Sequence, residues 1–242
     1  MDDPTRADGH SRRRFLIEGL ATGLVATSGL AGRAEAGGPA LTVLGDSYSS
    51  TNWPFPTWPE QLVRGGRASS LHDYAQPGAT AADGGNSLAS QLRRWRPVGG
   101  TTVVYFGHND VGHGRNLQQS QHDLEAGLAT LADRGAGRIV VVVPHDWGRS
   151  PTLVRHHRSA TYRARSLTWR SLCIAAARRH HAAVIDVFAL FERVFHNPHQ
   201  YHFDNIDRPD RARSATTALY FDGYHFGYHG QQLIAGAIGR AL

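Results

Sequence analysis

Lysine is absent from this sequence, cysteine and methionine occur once each, and no uninterrupted apolar run reaches the length of a membrane span. Each shortage removes a class of protein. A single cysteine, Cys173, rules out an intrachain disulfide, so packing must hold the fold together. Cys173 lies in an alanine- and arginine-rich stretch of helical character, where a buried structural thiol is expected rather than a nucleophile. A mildly apolar segment from Phe15 to Leu30 is broken by Glu18 and is too interrupted for a stable membrane anchor. The net charge of +6 rests on arginine alone, and no dense basic block with interleaved aromatics marks a nucleic-acid surface. Repeats and low-complexity tracts are also missing, so no part of residues 37–242 is expected to be disordered.

What is present begins with the N-terminus. Ser11-Arg12-Arg13-Arg14-Phe15-Leu16 opens the apolar segment, and Ala34-Glu35-Ala36 closes it with a small-x-small site. Paired arginines, apolar run and small-residue site in that order resemble a twin-arginine export signal covering residues 1–36, cleaved after Ala36. That implies a secreted or extracytoplasmic protein. The five arginines and five acids of this segment cancel, so residues 37–242 keep the whole net charge. The 206 residues that remain of the 242 are enough for one domain with a proper core, and 40% hydrophobic content fits that reading.

Four short apolar runs read as strands: Ala40–Leu44, Thr101–Phe106, Arg138–Val143 and Ala182–Val187. They are rich in β-branched residues and do not alternate with polar ones, as expected of parallel strands covered on both faces. Between them, Leu117–Arg134 and Thr152–His181 carry apolar residues at helical spacing, and Gln231–Leu242 closes the chain as another helix. Strands alternating with helices predict an α/β fold, a three-layer α/β/α sandwich around a central parallel sheet. Ligands in such sheets bind beyond the carboxyl ends of the strands.

Chemistry-bearing residues follow two of those strand ends. Ser47, in Gly45-Asp46-Ser47, comes directly after the first strand, and Asn109, in Gly107-His108-Asn109-Asp110, comes after the second. A third element, Asp222-Gly223-Tyr224-His225, places a carboxylate three residues before a histidine. A serine hydroxyl becomes a nucleophile when a neighbouring base takes its proton, and a carboxylate fixes the tautomer of that base. The uncharged amide of Asn109 is suited to a developing oxyanion. Gly78 offers a backbone N–H as a second donor or serves as a turn residue. Trp53, Trp58 and Trp147 follow strand ends and either line an acyl or sugar pocket or anchor loops in the core.

Taken in order, Gly45-Asp46-Ser47, Gly78, Gly107-x-Asn109-Asp110 and Asp222-x-x-His225 resemble the four sequence blocks of the SGNH, or GDSL-type, esterase/lipase family. Asn52-Trp53-Pro54, Thr57-Trp58-Pro59-Glu60-Gln61-Leu62 and Tyr201-His202-Phe203-Asp204-Asn205 resemble segments of its lipase and acetylesterase branch. The resemblance implies a flavodoxin-like SGNH hydrolase fold and an ester substrate: a lipid, an acetylated glycan or a small ester. It implies Ser47 as nucleophile, His225 as base and Asp222 as its partner. An oxyanion hole would come from the Ser47 and Gly78 backbone and the Asn109 side chain; the reading as a whole calls for no cofactor and no metal. Phe226 after the histidine and Pro77 before Gly78 depart from the family pattern.

Two rival readings remain at this level. One is a non-catalytic protein that binds glycan or lipid through its tryptophans. The other is a metal-dependent hydrolase, suggested by His196, His199 and His202 and by the pairs His145-Asp146, His156-His157 and His180-His181. No His-Glu-x-x-His set is present, and Pro198 interrupts the histidine triplet.

Overall fold

A computed structural model describes residues 37–212 and 217–242. Residues 1–36, expected from the sequence to be an export signal, lie outside the described residues. Five parallel strands form the central sheet: β1 (Ala40–Gly45), β2 (Ser70–Asp73), β3 (Thr101–Tyr105), β4 (Arg138–Val143) and β5 (Ala183–Asp186), in the order β2-β1-β3-β4-β5. Helices supply the outer layers: α1 (Trp58–Arg64), α2 (Leu88–Arg94), α3 (His108–Gly112), α4 (Leu117–Asp133), α5 (Pro151–Arg155) and α6 (Ser159–Arg179) between the strands, with α7 (Val187–His196) and α8 (Tyr228–Gly239) after β5. α1 packs on α8, while α2, α4 and α6 pack in series. This is the three-layer α/β sandwich expected. Two short parallel strands, β6 (Asn205–Pro209) and β7 (Ala218–Tyr220), precede the final loop.

The inner strands β1 and β3 are buried along almost their whole length, which explains their unbroken apolar sequence. β2 was not among the expected strands. Its residues Ser70-Leu71-His72-Asp73 are only half-buried at the sheet edge, where polar side chains reach water and no apolar run is needed. The expected helix over Thr152–His181 is two helices, because His157 adopts a left-handed φ of 55° and the Arg158 N–H turns back to the Leu153 carbonyl (2.9 Å), closing α5. α8 starts a turn earlier than expected, with the Gly227 carbonyl accepting the Gln231 N–H at 3.0 Å, and ends at Gly239.

The strand order reverses between β1 and β3. Gly45 and Tyr105 are register partners, so the residues that leave the two strands emerge side by side. A crevice at such a switch point is where open α/β sheets bind ligands.

Candidate active site

Ser47 sits in a single helical turn that folds back from the end of β1, with the Ser49 and Ser50 N–H groups donating to the Asp46 carbonyl at 3.1 and 3.2 Å. The turn needs glycine at position 45, since a Cβ there would stand 2.8 Å from Ser49 Oγ and 3.0 Å from the Tyr105 carbonyl. Buried Gln91 of α2 clamps the strand end, accepting from the Gly45 N–H (2.9 Å) and donating to the Gly45 carbonyl (2.7 Å). Ser47 Oγ is thereby aimed at the last loop, where His225 Nε2 lies 2.9 Å away.

Asp222 shapes that loop. Its Oδ1 accepts the backbone N–H groups of Tyr224 and His225, both at 2.7 Å, and its two oxygens stand 3.1 and 2.9 Å from His225 Nδ1. The loop is closed by the Phe221 N–H donating to the His225 carbonyl at 2.8 Å. Burial works to raise the Asp222 carboxyl, but the His225 hydrogen bond and charge and the two backbone N–H groups outweigh it and hold the carboxyl below its usual range. The structure therefore brings serine, histidine and aspartate into one hydrogen-bonded series from residues up to 178 positions apart.

Asn109 is the second residue of α3, and its Nδ2 donates to the Ala79 carbonyl at 2.8 Å. Beside it, the Asp110 carboxylate accepts the Ala81 and Ala82 N–H groups at 2.9 and 3.0 Å. Together they tie the Gly78 loop to α3. Gly78 has a φ of 77°, and the space where a Cβ would stand is empty. Ser47, Gly78, Asn109, His225 and Trp53 border one cavity of about 350 Å³. A second cavity of about 370 Å³, bordered by Trp147, Arg158, Tyr162 and Tyr224, shares Asn109 and His225 with the first. Asn109 and His225 thus divide two lobes.

The three tryptophans have different places. Trp53 borders the first lobe, donates from Nε1 to the Ser47 carbonyl at 2.8 Å and lies with its ring 4.7 Å from that of His225. Trp147 borders the second lobe, stacked on Tyr224. Trp58 does neither. It is 0% exposed in the core, with Nε1 donating to Ser49 Oγ at 3.2 Å, so contrary to the expectation of a substrate-binding role it does not reach the cavity. The reason is that α1 turns its first residue under the Ser49 turn and against α8, where Gln231 Oε1 accepts the Trp58 N–H at 3.2 Å.

His196 ends α7, and His199 and His202 follow on a separate 3₁₀ turn, so they share no helix face. Among the described residues no group of three histidine, cysteine, aspartate or glutamate side chains is placed to hold a metal ion. Cys173 is buried, and burial pushes its thiol well up, as suits a structural residue.

Behind the serine lies a buried polar series that the sequence did not disclose. Asp46 Oδ2 stands 3.1 Å from His108 Nδ1, His108 Nε2 stands 3.1 Å from His145 Nδ1, and His145 Nε2 stands 3.2 Å from the Tyr48 hydroxyl. The Tyr48 hydroxyl donates to the Tyr224 carbonyl at 2.5 Å. The signal available was that His108 lies inside the Asn109 motif and His145 directly beyond β4, both at carboxyl ends of strands.

Among the described residues no helix is long and apolar enough to cross a membrane. A sequence model of the GDSL-like lipase/acylhydrolase family matches residues 43–233. None of the curated proteins matches the chain by sequence. Similar solved structures include an acetylxylan esterase from Geobacillus stearothermophilus, with a TM-score of 0.60 and 14% identity over 85% of this chain and 94% of that one. A phospholipase A1 from Streptomyces albidoflavus has a TM-score of 0.57 and 14% identity over 84% and 98%. A lipase/acylhydrolase from Enterococcus faecalis has a TM-score of 0.52 and 19% identity over 84% and 94%. At these identities the likeness concerns the fold.

Proposed function

We propose, from the premise that the chain belongs to the GDSL-like lipase/acylhydrolase family and is a carboxylic ester hydrolase, that it works through a serine acyl-enzyme and is exported. The observation that carries the mechanism is the unbroken series Ser47 Oγ, His225 Nε2, His225 Nδ1, Asp222 at the mouth of a cavity. His225 takes the hydroxyl proton as Ser47 Oγ bonds to the ester carbon, then gives it to the departing alkoxide as the ester C–O bond breaks. Water repeats the sequence on the acyl-serine and releases the acid. Asp222 holds the Nδ1–H tautomer and balances the imidazolium while it exists.

The tetrahedral oxyanion requires donors on the side away from the leaving group. Ser47, Gly78 and Asn109 all border the same cavity, and the backbone N–H groups of the first two with the side-chain amide of the third are suited to supply them. Asn109 spends one of its two amide hydrogens on the Ala79 carbonyl, which fixes the side chain and leaves the second for substrate. A binding module would have no use for the base and its carboxylate.

The two lobes meeting at Asn109 and His225 suit the two halves of an ester, acyl group and alcohol. The similar solved structures include an acetylxylan esterase and a phospholipase A1, so acetylated glycan and lipid are the substrates to compare. Export rests on the residues 12–36 pattern of paired arginines, apolar run and Ala34-Glu35-Ala36 site.

The test is Ser47→Ala assayed on a p-nitrophenyl ester series from acetate to palmitate and on acetylated xylan. Loss of at least about a thousandfold in kcat with an unchanged circular dichroism spectrum is expected. Unchanged turnover overturns the mechanism. Replacing Arg12 and Arg13 by lysine is expected to retain the chain in the cytoplasm, and continued export overturns the signal.

A further inference from the structure

The buried series behind Ser47 has a direction. A carbonyl has no hydrogen to give, so at 2.5 Å from the Tyr224 carbonyl the Tyr48 hydroxyl proton must point there. The Tyr48 oxygen is then an acceptor for His145, whose Nε2 carries a proton. Burial pushes the His145 ring well below its usual range, so this ring is neutral and its Nδ1 is bare. A bare His145 Nδ1 needs the His108 Nε2–H. His108 is likewise held far down by burial and by the His225 charge, which leaves its Nδ1 bare and facing Asp46 Oδ2 at 3.1 Å. A bare nitrogen and a carboxylate repel, so a proton lies between them.

We propose that Asp46, His108, His145 and Tyr48 are positioning residues forming a one-way hydrogen-bonded relay that anchors the Asp222–His225 loop, and that the anchor holds only while the Asp46–His108 end keeps its proton. The role rests on the reading of that loop as the catalytic one. Its mechanical basis is direct: Tyr224 lies between Asp222 and His225, and its carbonyl is the relay's last acceptor. Loss of the proton at Asp46 would leave His108 Nδ1–H to serve the new carboxylate. Each ring must then swap tautomer, and His145 Nε2 becomes an acceptor that competes for the Tyr48 proton. The Tyr224 carbonyl is left facing a lone pair at short range, and the loop must move.

The surroundings keep the proton in place. Asp46 is fully buried; its Oδ1 accepts the Tyr48 N–H at 2.9 Å, and its own backbone N–H adds a weaker contribution. Facing it are Tyr105 from β3, His108 and Asp110 from α3, His145 beyond β4, Tyr48 from its own turn and His225 from the last loop. Asp110 is occupied with the Ala81 and Ala82 N–H groups, and among the described residues no arginine pairs with Asp46. Burial is the largest influence and carries the Asp46 carboxyl from 3.8 to about 7.

Two experiments on the full chain decide the matter. Nitrogen-15 NMR of histidine-labelled protein at pH 6, with rings assigned by substitution, is expected to show His145 neutral with Nε2–H and His108 carrying Nε2–H. His108 neutral with Nδ1–H overturns the proposal. This readout does not involve turnover, so it stands or falls separately from the role of Ser47. In pH profiles normalised to active sites by a serine-reactive phosphonate, wild-type kcat is expected to decline above about pH 7. Asp46→Asn, whose Nδ2–H is a permanent donor to His108, is expected to lose that decline. Tyr48→Phe is expected to lower kcat with little change in KM. Persistence of the same alkaline limb in Asp46→Asn overturns the relay, as does an unaltered kcat per active site in Tyr48→Phe.

Discussion

Gly107 lies so close against Trp169 that a Cβ on it would stand 1.7 Å from the indole Nε1. The same Nε1 donates to the Phe106 carbonyl at 3.1 Å, so α6 reaches across the sheet edge to hold the backbone just before Asn109. Gly107 also has a φ of 127°, a conformation that side chains avoid. Gly107→Ala therefore meets overpacking and backbone strain together, each costing about 1–3 kcal/mol. Urea unfolding is expected to show a loss of roughly 2–5 kcal/mol, with activity falling further than stability because Asn109 shifts. A loss under about 1 kcal/mol would mean that the turn yields easily.

The parts of this arrangement that could be read in the sequence are those written in local patterns. The buried strands β1, β3 and β4 announce themselves as β-branched runs, and Ser47 and Asn109 stand out because they follow such runs. β2 does not, since an edge strand needs no apolar run to be stable. Trp53 and Trp58 occur in similar Trp-Pro contexts, and only packing against α8, more than 160 residues later in the chain, buries one and leaves the other at the cavity. His108 and His145 are two of 15 histidines, and what sets them apart is the convergence of three loops rather than any spacing. Gln91 reads as an ordinary helix residue until its clamp on Gly45 is seen.

Under the proposed mechanism Asp222 has two duties that substitution can separate. Asparagine keeps an oxygen for the Tyr224 and His225 N–H groups and for His225 Nδ1–H but removes the charge that balances the imidazolium. Asp222→Asn is expected to lower kcat by about 10²–10⁴ with a native circular dichroism spectrum. Asp222→Ala also abandons the two loop bonds, each worth about 1.5–3 kcal/mol as a hydrogen bond to a charged group, and is expected to be less stable as well. An Asp222→Asn enzyme within tenfold of wild type would show that the charge is dispensable.

The two tryptophans near the serine are expected to fail in different ways. Trp58→Ala opens a cavity in the core and is expected to cost about 3–5 kcal/mol in urea unfolding. Trp53 borders the first lobe beside Phe55 and Phe221, so Trp53→Ala is expected to raise KM by about tenfold for acyl chains that fill the lobe and to alter acetate esters less. Equal KM changes along the acyl series would place Trp53 outside the binding surface.

Asp46 gives stability a pH dependence of its own. In the unfolded chain its carboxyl ionises near 3.8, whereas the folded protein holds the proton up to about 7. Between those values the folded state binds more protons, so stability falls as pH rises through the window, by up to about 4 kcal/mol. Asp46→Asn cannot ionise and escapes this loss. His108 and His145 act in the opposite sense: their lowered pKa values cost stability as pH falls below 6.5, where the unfolded rings take up protons. Both proteins share that cost, and it cancels in the difference between them. Urea unfolding of wild type and Asp46→Asn is therefore expected to diverge from pH 4.5 to about 7, the variant gaining relative to wild type as pH rises, and to keep a constant gap above that. Parallel curves across that range would mean that Asp46 is already ionised in the folded protein, and the proton order from Asp46 to the Tyr224 carbonyl would have to run the other way.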